Sequence, residues 1–266
     1  MKTRVISAMI ALAIFIPIFL IGGNIFNLAV YAIAILGLKE FLDIRETRKA
    51  FPGFVKFISY VMLSLILFGN TINGNMLMSI DIRIISGLFL IFLIPAILYH
   101  DKTLFSMNDA FYLIGGIFFL GVSFATLMMI RNASLANIIY LFLITIMTDT
   151  FAYTVGRLIG RNKLLESISP NKTWEGMIGG TVFGVFIASV FYTVVVNPEL
   201  PLYVVILMTL FLSILGQLGD LVFSAIKRYF GKKDFSNIMP GHGGILDRLD
   251  SIIFVMLGFM FFISII

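Results

Sequence analysis

Long apolar segments separated by short polar breaks run through the whole chain. The segments hold about 17 to 26 residues each and lack the alternation of apolar and polar positions that marks the strands of a membrane barrel. About 20 consecutive apolar residues let a helix cross the hydrocarbon core, where every backbone polar group must be paired within the protein. The pattern therefore predicts an all-α, polytopic integral membrane protein with about nine transmembrane helices.

The nine predicted spans end at glycine, proline, asparagine or charged residues. They are Val5 to Gly23, Ile25 to Asp43, Phe54 to Asn70, Ile84 to His100, Ala110 to Ile130, Ile138 to Gly156, Gly176 to Val196, Leu202 to Lys227 and Asp250 to Ile266. No small-residue cleavage site follows the first segment, so we interpret it as a retained span. We expect two regions: residues 1–132 with about five spans, and residues 133–266 with about four spans and cytoplasmic loops at 157–175 and 228–249.

Composition supports a membrane protein and excludes an ordinary soluble domain. The 266 residues are 60% hydrophobic and 12% charged, with a mean hydropathy of +1.06, whereas soluble domains are ~45–50% apolar and ~25% charged. The chain has no cysteine, which excludes disulfides, thiolate metal sites and a cysteine nucleophile. The net charge of +5 is modest, and we expect no nucleic-acid partner.

The distribution of basic residues predicts the orientation in the membrane. With nine spans, all of the 19 lysines and arginines except Arg83 and Arg131 fall on one face. The asymmetry persists when the two basic loops nearest the C-terminus are left out. The positive-inside rule then places the N-terminus in the cytoplasm and the C-terminus outside. We expect a multi-pass protein of the inner (cytoplasmic) membrane whose active site faces the cytoplasm.

Four aspartates lie where a bilayer protein normally avoids charge. Asp149 is inside the sixth span, Asp220 is near the cytoplasmic end of the eighth, and Asp247 and Asp250 lead into the ninth, on one face if that helix begins by Leu246. Any one of them could be a structural ion pair or a helix-start carboxylate, but the four together favour a shared cation site. Mg²⁺ suits such a site because it prefers oxygen ligands and commonly shares them with phosphates; the number of ions, one or two, and a second cation of another type stay open.

Basic and hydroxyl groups close to these acids suit a phosphate. Asp220, Ser224 and Lys227 lie at i, i+4 and i+7 of the eighth helix, so they share one stripe with Arg228 beside it. Lys172 lies between a proline turn and the start of the seventh helix, where its ammonium group is placed to reach a phosphate.

A glycine-rich segment leads into the ninth span. Gly241, Gly243 and Gly244 surround His242, and two basic pairs that end at Lys233 come before them. Glycine permits positive φ, so successive N–H groups can form an anion-binding nest that leads into a helix N-terminus. We interpret His242 as a general base or as a hydrogen-bond donor to a phosphate, although a loop histidine often has no role beyond structural hydrogen bonding.

Small residues recur at helical spacing in the seventh span. Gly176, Gly180 and Gly184 predict close helix packing, either within the chain or in a homodimer.

Three segments with fixed internal spacing, Ser224–Arg228, Lys233–Ser236 and Pro240–Asp250, lie within a span of 27 residues. Other distinctive segments are Asp149–Tyr153, Gly156-Arg157, Gly160-Arg161, Ser169–Gly176 and Gly216–Asp220. The spaced segments resemble the signature of a known enzyme family, the phosphatidate cytidylyltransferases or CDP-diacylglycerol synthases, and the other segments are similar to that family as well. Met239 stands where the family carries a branched aliphatic residue or phenylalanine, and the first 130 residues are similar only in being hydrophobic.

The resemblance implies transfer of a cytidylyl group from CTP to phosphatidic acid, a membrane lipid, with release of pyrophosphate. As a hypothesis, Asp220 and Asp247 hold Mg²⁺, with Asp250 and Asp149 as further ligands or behind them. The phosphates would be clamped by Lys172, Lys227, Arg228, Lys233 and Arg248, with Ser224 nearby, and His242 and the glycine amides would line the nest.

Two alternatives remain at this point. A cation-coupled membrane transporter also places carboxylates inside spans, but it needs access from both faces, whereas the polar clusters here lie on one. Another CDP-lipid phosphotransferase would carry Asp-x-x-Asp-Gly, and here Ser251 follows Asp250.

Overall fold

Helices make up almost all of the regular structure in the computed structural model, which describes residues 9, 13, 15–72, 82–98, 105–239, 241 and 243–263. The helices are α1 (Gly23–Glu46), α2 (Gly53–Ile72), α3 (Ile82–Leu98), α4 (Met107–Ala133), α5 (Leu135–Ile159), α6 (Trp174–Phe191), α7 (Leu202–Tyr229) and α8 (Leu246–Ile263). Residues 15–21 are also helical, and α6 runs into a π-helical turn at Tyr192–Val196. Two short strands, β1 (Lys163–Leu165) and β2 (Ser169–Thr173), form an antiparallel hairpin between α5 and α6.

Five of these helices are long and apolar enough to cross a membrane: α1, α4, α5, α7 and α6 with its π-helical turn. Shorter apolar helices occur at Gly53–Gly69 and Ile82–Leu98. α8 has 18 residues, but Asp247, Arg248 and Asp250 at its start interrupt the apolar stretch. Residues 5–8, 10–12 and 14 of the first predicted span lie outside the described residues. The prediction of an all-α membrane protein is confirmed, and the number of nine spans stays a prediction.

Two helix ends differ from the predicted breaks near the aspartates. α5 continues to Ile159, and the rest of the predicted loop at 157–175 is mainly the β1–β2 hairpin. α8 begins at Leu246, four residues before the predicted ninth span, so Asp247 and Asp250 belong to its first turns. A carboxylate in the first turn of a helix is favoured by the partial positive charge there, which a search for apolar runs does not register.

The chain folds as two compact units, of which the first comprises Met1–Asn132 and Asp234–Leu246. Within it, Arg45 of α1 forms an ion pair with Asp109 of α4. One turn away, the rings of Phe41 and Tyr112 stack with centroids 4.4 Å apart, and the Tyr112 hydroxyl donates to the Phe41 carbonyl over 2.8 Å. These contacts hold α1 and α4 together at the ends that carry the polar side chains.

The second unit comprises Ala133–Lys233 and Asp247–Ile266, and α5 and α6 make its closest helix pair. A Cβ atom at Gly176 would lie 2.6 Å from the Ala152 carbonyl oxygen, and one at Gly180 would lie 2.5 Å from the Thr148 carbonyl oxygen. Gly184 faces the side chain of the same threonine. The glycine spacing of the seventh predicted span therefore serves packing within the chain, one of the two outcomes that the sequence left open.

We predict that Gly180→Ala lowers the melting temperature of the detergent-solubilised protein. The added methyl group must displace the α5 backbone, and overpacking of this kind costs roughly 1–3 kcal/mol. Gly87→Ala in α3 is the matched control, because a Cβ atom there meets nothing within 4 Å. Equal melting temperatures for the two variants would contradict this packing.

Candidate active site

Two glycines of α7 allow the close approach of α8 beside the acidic residues. A Cβ atom at Gly216 would lie 2.9 Å from the Val255 side chain, and one at Gly219 would lie 2.8 Å from the carbonyl oxygen of Asp250. Gly219 directly precedes Asp220 in the chain. The bare backbone at this position therefore lets the α7 segment that carries Asp220 pack against the α8 segment that carries Asp250.

Three helices bring carboxylates together in the second unit. Asp149 of α5, Asp220 of α7 and Asp250 of α8 interact electrostatically, and the interactions among these three groups are repulsive. The charge of Lys172 offsets that of Asp149, and the charge of Lys227 offsets that of Asp250. The site thus combines crowded negative charge with two ammonium groups.

Each lysine forms an ion pair with a different predicted metal ligand. Lys172 Nζ lies 2.6 Å from Asp220 Oδ2, and Lys227 Nζ lies 2.6 Å from Asp247 Oδ1. The first pair is partly open, with side chains 29% and 28% exposed, whereas the second is buried at 9% and 4%. Ser224 donates its hydroxyl to Asp220 over 3.2 Å, as the predicted stripe on this helix requires.

Lys172 is held in place by the hairpin and by the start of α6. Lys172 lies on β2, and the next residue of that strand, Thr173, pairs with Lys163 of β1. The Thr173 hydroxyl caps α6 by accepting the Gly176 N–H over 3.1 Å. Because a strand partner and a helix cap fix its neighbour, Lys172 has a defined position although its side chain is partly exposed.

An open cavity of about 440 Å³ adjoins the partly open pair. Asp149, Lys172 and Asp220 line it, together with Arg157 of α5 and Gln217 of α7. Its other lining residues are Ala152, Tyr153, Gly156, Leu164, Asn171, Thr173, Gly176 and Met177. The cavity therefore presents acidic, basic and amide groups together.

Arg157 and Gln217 were not among the predicted site residues. Gln217 is only 6% exposed, and its side-chain amide donates to the Thr181 hydroxyl over 2.8 Å. The rule that singled out Asp149 also applies to an uncharged amide inside a span, so it would have found Gln217. Arg157 carried no such signal, because an arginine near a span end is expected on topological grounds alone.

Arg228, Lys233 and Arg248 are not among the lining residues of the cavity. Arg228 donates to the backbone carbonyl of Ile168 over 3.3 Å and to that of Lys232 over 2.8 Å. Lys233 and Arg248 are exposed. The guanidinium of Arg228 thus ties the end of α7 to the hairpin turn.

The glycine-rich segment belongs to the first unit. Gly241 and Gly243 have φ values of +79° and +84°, in the range that a nest of N–H groups requires. The N–H of Met239 donates to the carbonyl of Gly243 over 3.0 Å, which closes the turn. His242 lies outside the described residues.

The N–H groups after the glycines already have an acceptor. The Glu40 carboxylate of α1 accepts the N–H of Ile245 over 2.8 Å and the N–H of Leu246 over 2.9 Å. A carboxylate of the chain itself therefore occupies the N-terminus of α8, which the sequence had suggested as the end of a phosphate nest. Sequence analysis missed Glu40, although an acid in a predicted span was a visible signal.

The donor chemistry of the second unit suits a divalent cation. Carboxylate oxygens are the ligands that Mg²⁺ prefers, and the three mutually repelling carboxylates would each gain from a cation among them. As their side chains are placed, no three His, Asp or Glu residues in the described part of the chain stand close enough to hold a metal ion. The residues fit the ion in chemical type, and in this structure Lys172 is paired with Asp220 and Lys227 with Asp247.

The fold and the site define a class of protein: a helical membrane protein whose acidic and basic groups surround a cavity large enough for a small anionic substrate. Comparison with known proteins makes the class specific. The profile of the cytidylyltransferase family matches residues 2–266. Proteins named phosphatidate cytidylyltransferase from Staphylococcus haemolyticus and Staphylococcus saprophyticus are 39% and 38% identical to the chain, each over 96% of both sequences. The Staphylococcus aureus protein of that name is 37% identical over the same share.

The chain therefore belongs to the cytidylyltransferase family, and it is a nucleotidyltransferase. The similarity covers the first 130 residues as well, where sequence reasoning found only hydrophobic character.

Proposed function

We propose that the chain transfers the cytidylyl group of CTP to phosphatidic acid, which forms CDP-diacylglycerol in the membrane and releases pyrophosphate. The observation that carries the proposal is the cavity where Asp149, Lys172 and Asp220 meet, in a chain that is 39% identical to a phosphatidate cytidylyltransferase. A cytidylyl donor and a lipid phosphate are both anions, so a site of mixed charge suits their encounter.

In this reaction an oxygen of the lipid phosphate attacks the α-phosphorus of CTP. The bond between that phosphorus and the oxygen bridging to the β-phosphate breaks, and pyrophosphate leaves with the electron pair. A phosphate monoester is largely ionised near neutral pH, so the attack needs no general base. The protein must instead hold two repelling anions in line and neutralise their charge.

We assign the positioning of the phosphates to the basic residues of the second unit. Lys172 and Arg157 line the cavity from β2 and α5, where they suit the triphosphate. Lys227 is buried beside Asp247 and supplies a positive charge next to that carboxylate. From the sequence we further propose that Ser224, Arg228, Lys233 and Arg248 contact the phosphates, and that His242 and the N–H groups of Gly241, Gly243 and Gly244 line an anion-binding nest.

We assign Mg²⁺ binding to Asp220 and Asp247. Asp250 and Asp149 act either as further ligands or as neighbours that contact the ligands without binding the ion. Asp149, Asp220 and Asp250 repel one another in this unit, and a divalent cation among them would relieve that repulsion. A bound divalent ion would polarise the α-phosphate and neutralise the developing charge.

The proposed membrane arrangement follows the basic residues. Nine spans, a cytoplasmic N-terminus and an external C-terminus place the cavity at the cytoplasmic surface of the inner (cytoplasmic) membrane, where CTP is available. Residues 1–132 and 133–266 are the N-terminal and catalytic regions, and the proposal includes a homodimer.

Two labelled forms of CTP test the proposed function. Purified protein is incubated in detergent with phosphatidic acid, Mg²⁺ and CTP labelled either at the α- or at the γ-phosphate. We expect the α-label to become chloroform-soluble and the γ-label to remain in the aqueous phase as pyrophosphate. The formation of the chloroform-soluble α-label and the formation of labelled pyrophosphate should both require phosphatidic acid and should both stop when a chelator is added. No lipid-linked α-label under these conditions would refute the proposal, and cation uptake into vesicles without CTP would favour a transporter.

A further inference from the structure

A fully buried carboxylate of the first unit holds the glycine-rich segment. Glu40 lies on α1 and is 0% exposed. Its Oε1 accepts the Ser236 hydroxyl over 2.6 Å and the Ile245 N–H over 2.8 Å, and its Oε2 accepts the Leu246 N–H over 2.9 Å. Three hydrogen bonds therefore tie one side chain to both ends of a segment that follows it by about 200 residues in the chain.

The surroundings of Glu40 fit this task closely. A Cβ atom at Gly244 would lie 2.6 Å from Glu40 Oε1, so only glycine leaves room for the carboxylate there. One turn earlier on α1, a Cβ atom at Gly37 would lie 3.2 Å from the side chain of Leu246, which is itself fully buried. α1 thus packs against both the glycine-rich segment and the first residue of α8.

Hydrogen-bond donors hold the Glu40 side chain. Within the described part of the chain, no lysine or arginine forms an ion pair with it. The acceptor oxygens instead meet a hydroxyl and two N–H groups at the start of a helix, where a negative charge is favoured. Replacement of the carboxylate by an amide would keep the shape but set an NH₂ group against a hydrogen-bond donor, so at least one of the three hydrogen bonds would be lost.

We propose that Glu40 is a positioning residue that fixes the segment Asp234–Leu246 and the point where α8 begins. Asp247 and Asp250 follow Leu246 on α8, so the anchor fixes the residue at which the helix that carries these carboxylates begins. This inference rests on the proposed function and gives the N-terminal helices a part in it.

Hydrogen exchange and kinetics of Glu40→Gln test the anchor directly. Amide exchange in the peptides that cover 236–246 should become about tenfold faster, while exchange in α5 to α7 should not change. Because a small misplacement of reacting groups is costly, kcat at saturating substrates should fall about 10- to 100-fold, more than either KM rises. Asp43→Asn is the control: it removes an exposed carboxylate from the same helix and should match the wild type in both measurements.

Gly244→Ala adds a test that a general loss of stability does not mimic. The methyl group should expel the Glu40 carboxylate, so Gly244→Ala should lower kcat strongly in the wild-type background but much less in the Glu40→Ala background. If Gly244 acted only by binding a phosphate, the two defects would add.

Three results would overturn the inference: strictly additive defects, unchanged exchange at 236–246, or a Glu40→Gln protein that melts earlier but keeps its kcat. A wild-type protein that makes no lipid product would refute the proposed function, and with it the catalytic part of this inference. The exchange measurement and the Gly244 cycle, followed by melting temperature, would still decide whether Glu40 anchors the segment.

Discussion

Asp220→Asn should lower kcat by about 100-fold or more, because the site would lose a proposed ligand of the divalent cation, whose neutralisation of the reacting phosphates is worth several kcal/mol. Asp220 lines the cavity, pairs with Lys172 over 2.6 Å and interacts with Asp149. Asparagine has the same shape, and the pair is partly exposed, so the variant should fold and be extracted like the wild type. Turnover of labelled CTP in detergent measures the effect.

Glu199→Gln is the control for the loss of one negative charge. Glu199 is exposed in the connection between α6 and α7, far along the chain from the cavity residues. We expect wild-type turnover for this variant. An Asp220→Asn protein with a kcat within about threefold of the wild type would contradict the role of Asp220 in charge stabilisation.

Asp247→Asn should impair both stability and activity, because it leaves the Lys227 ammonium buried without its carboxylate. The two side chains are 4% and 9% exposed, and removal of one partner from a buried pair costs roughly 3–5 kcal/mol. The melting temperature should therefore fall together with the turnover. In the double variant Lys227→Met with Asp247→Leu, both charges are replaced by apolar groups of similar size, so the melting temperature should recover.

The activity of the double variant separates structure from chemistry. If Lys227 and Asp247 act on the phosphates and the cation, turnover should stay at least about 100-fold below the wild type although the protein is stable again. Recovery of turnover along with stability would show that the pair is structural only.

The sequence predicted the helical membrane fold and several elements of the site, because those features leave local signals. An apolar run of sufficient length has one stable solution in lipid, so α4 to α7 appear where the runs predicted them. The Asp220 to Ser224 contact follows from helical spacing, and it is present. The cation site, by contrast, stays a prediction.

Other features depended on partners that the sequence could not reveal. Lys172 was predicted to meet a phosphate, and its position depends on a hairpin too short to show a strand pattern. Glu40 meets groups about 200 residues away, so no local pattern indicates its contacts. The role of Gly219 in close helix packing becomes apparent only from the position of α8 beside it.

We propose that carboxylates from separate helices hold a divalent cation at the cavity beside Lys172. The most direct measurement is a crystal structure with Mn²⁺ in place of Mg²⁺ and a CTP analogue whose α,β-bridging oxygen is replaced by a methylene group. We predict an anomalous peak in contact with the Asp220 carboxylate and nucleotide phosphates in the cavity that Asp149 and Lys172 line. Nucleotide bound elsewhere, or bound there with no manganese near any of the four aspartates, would contradict the account.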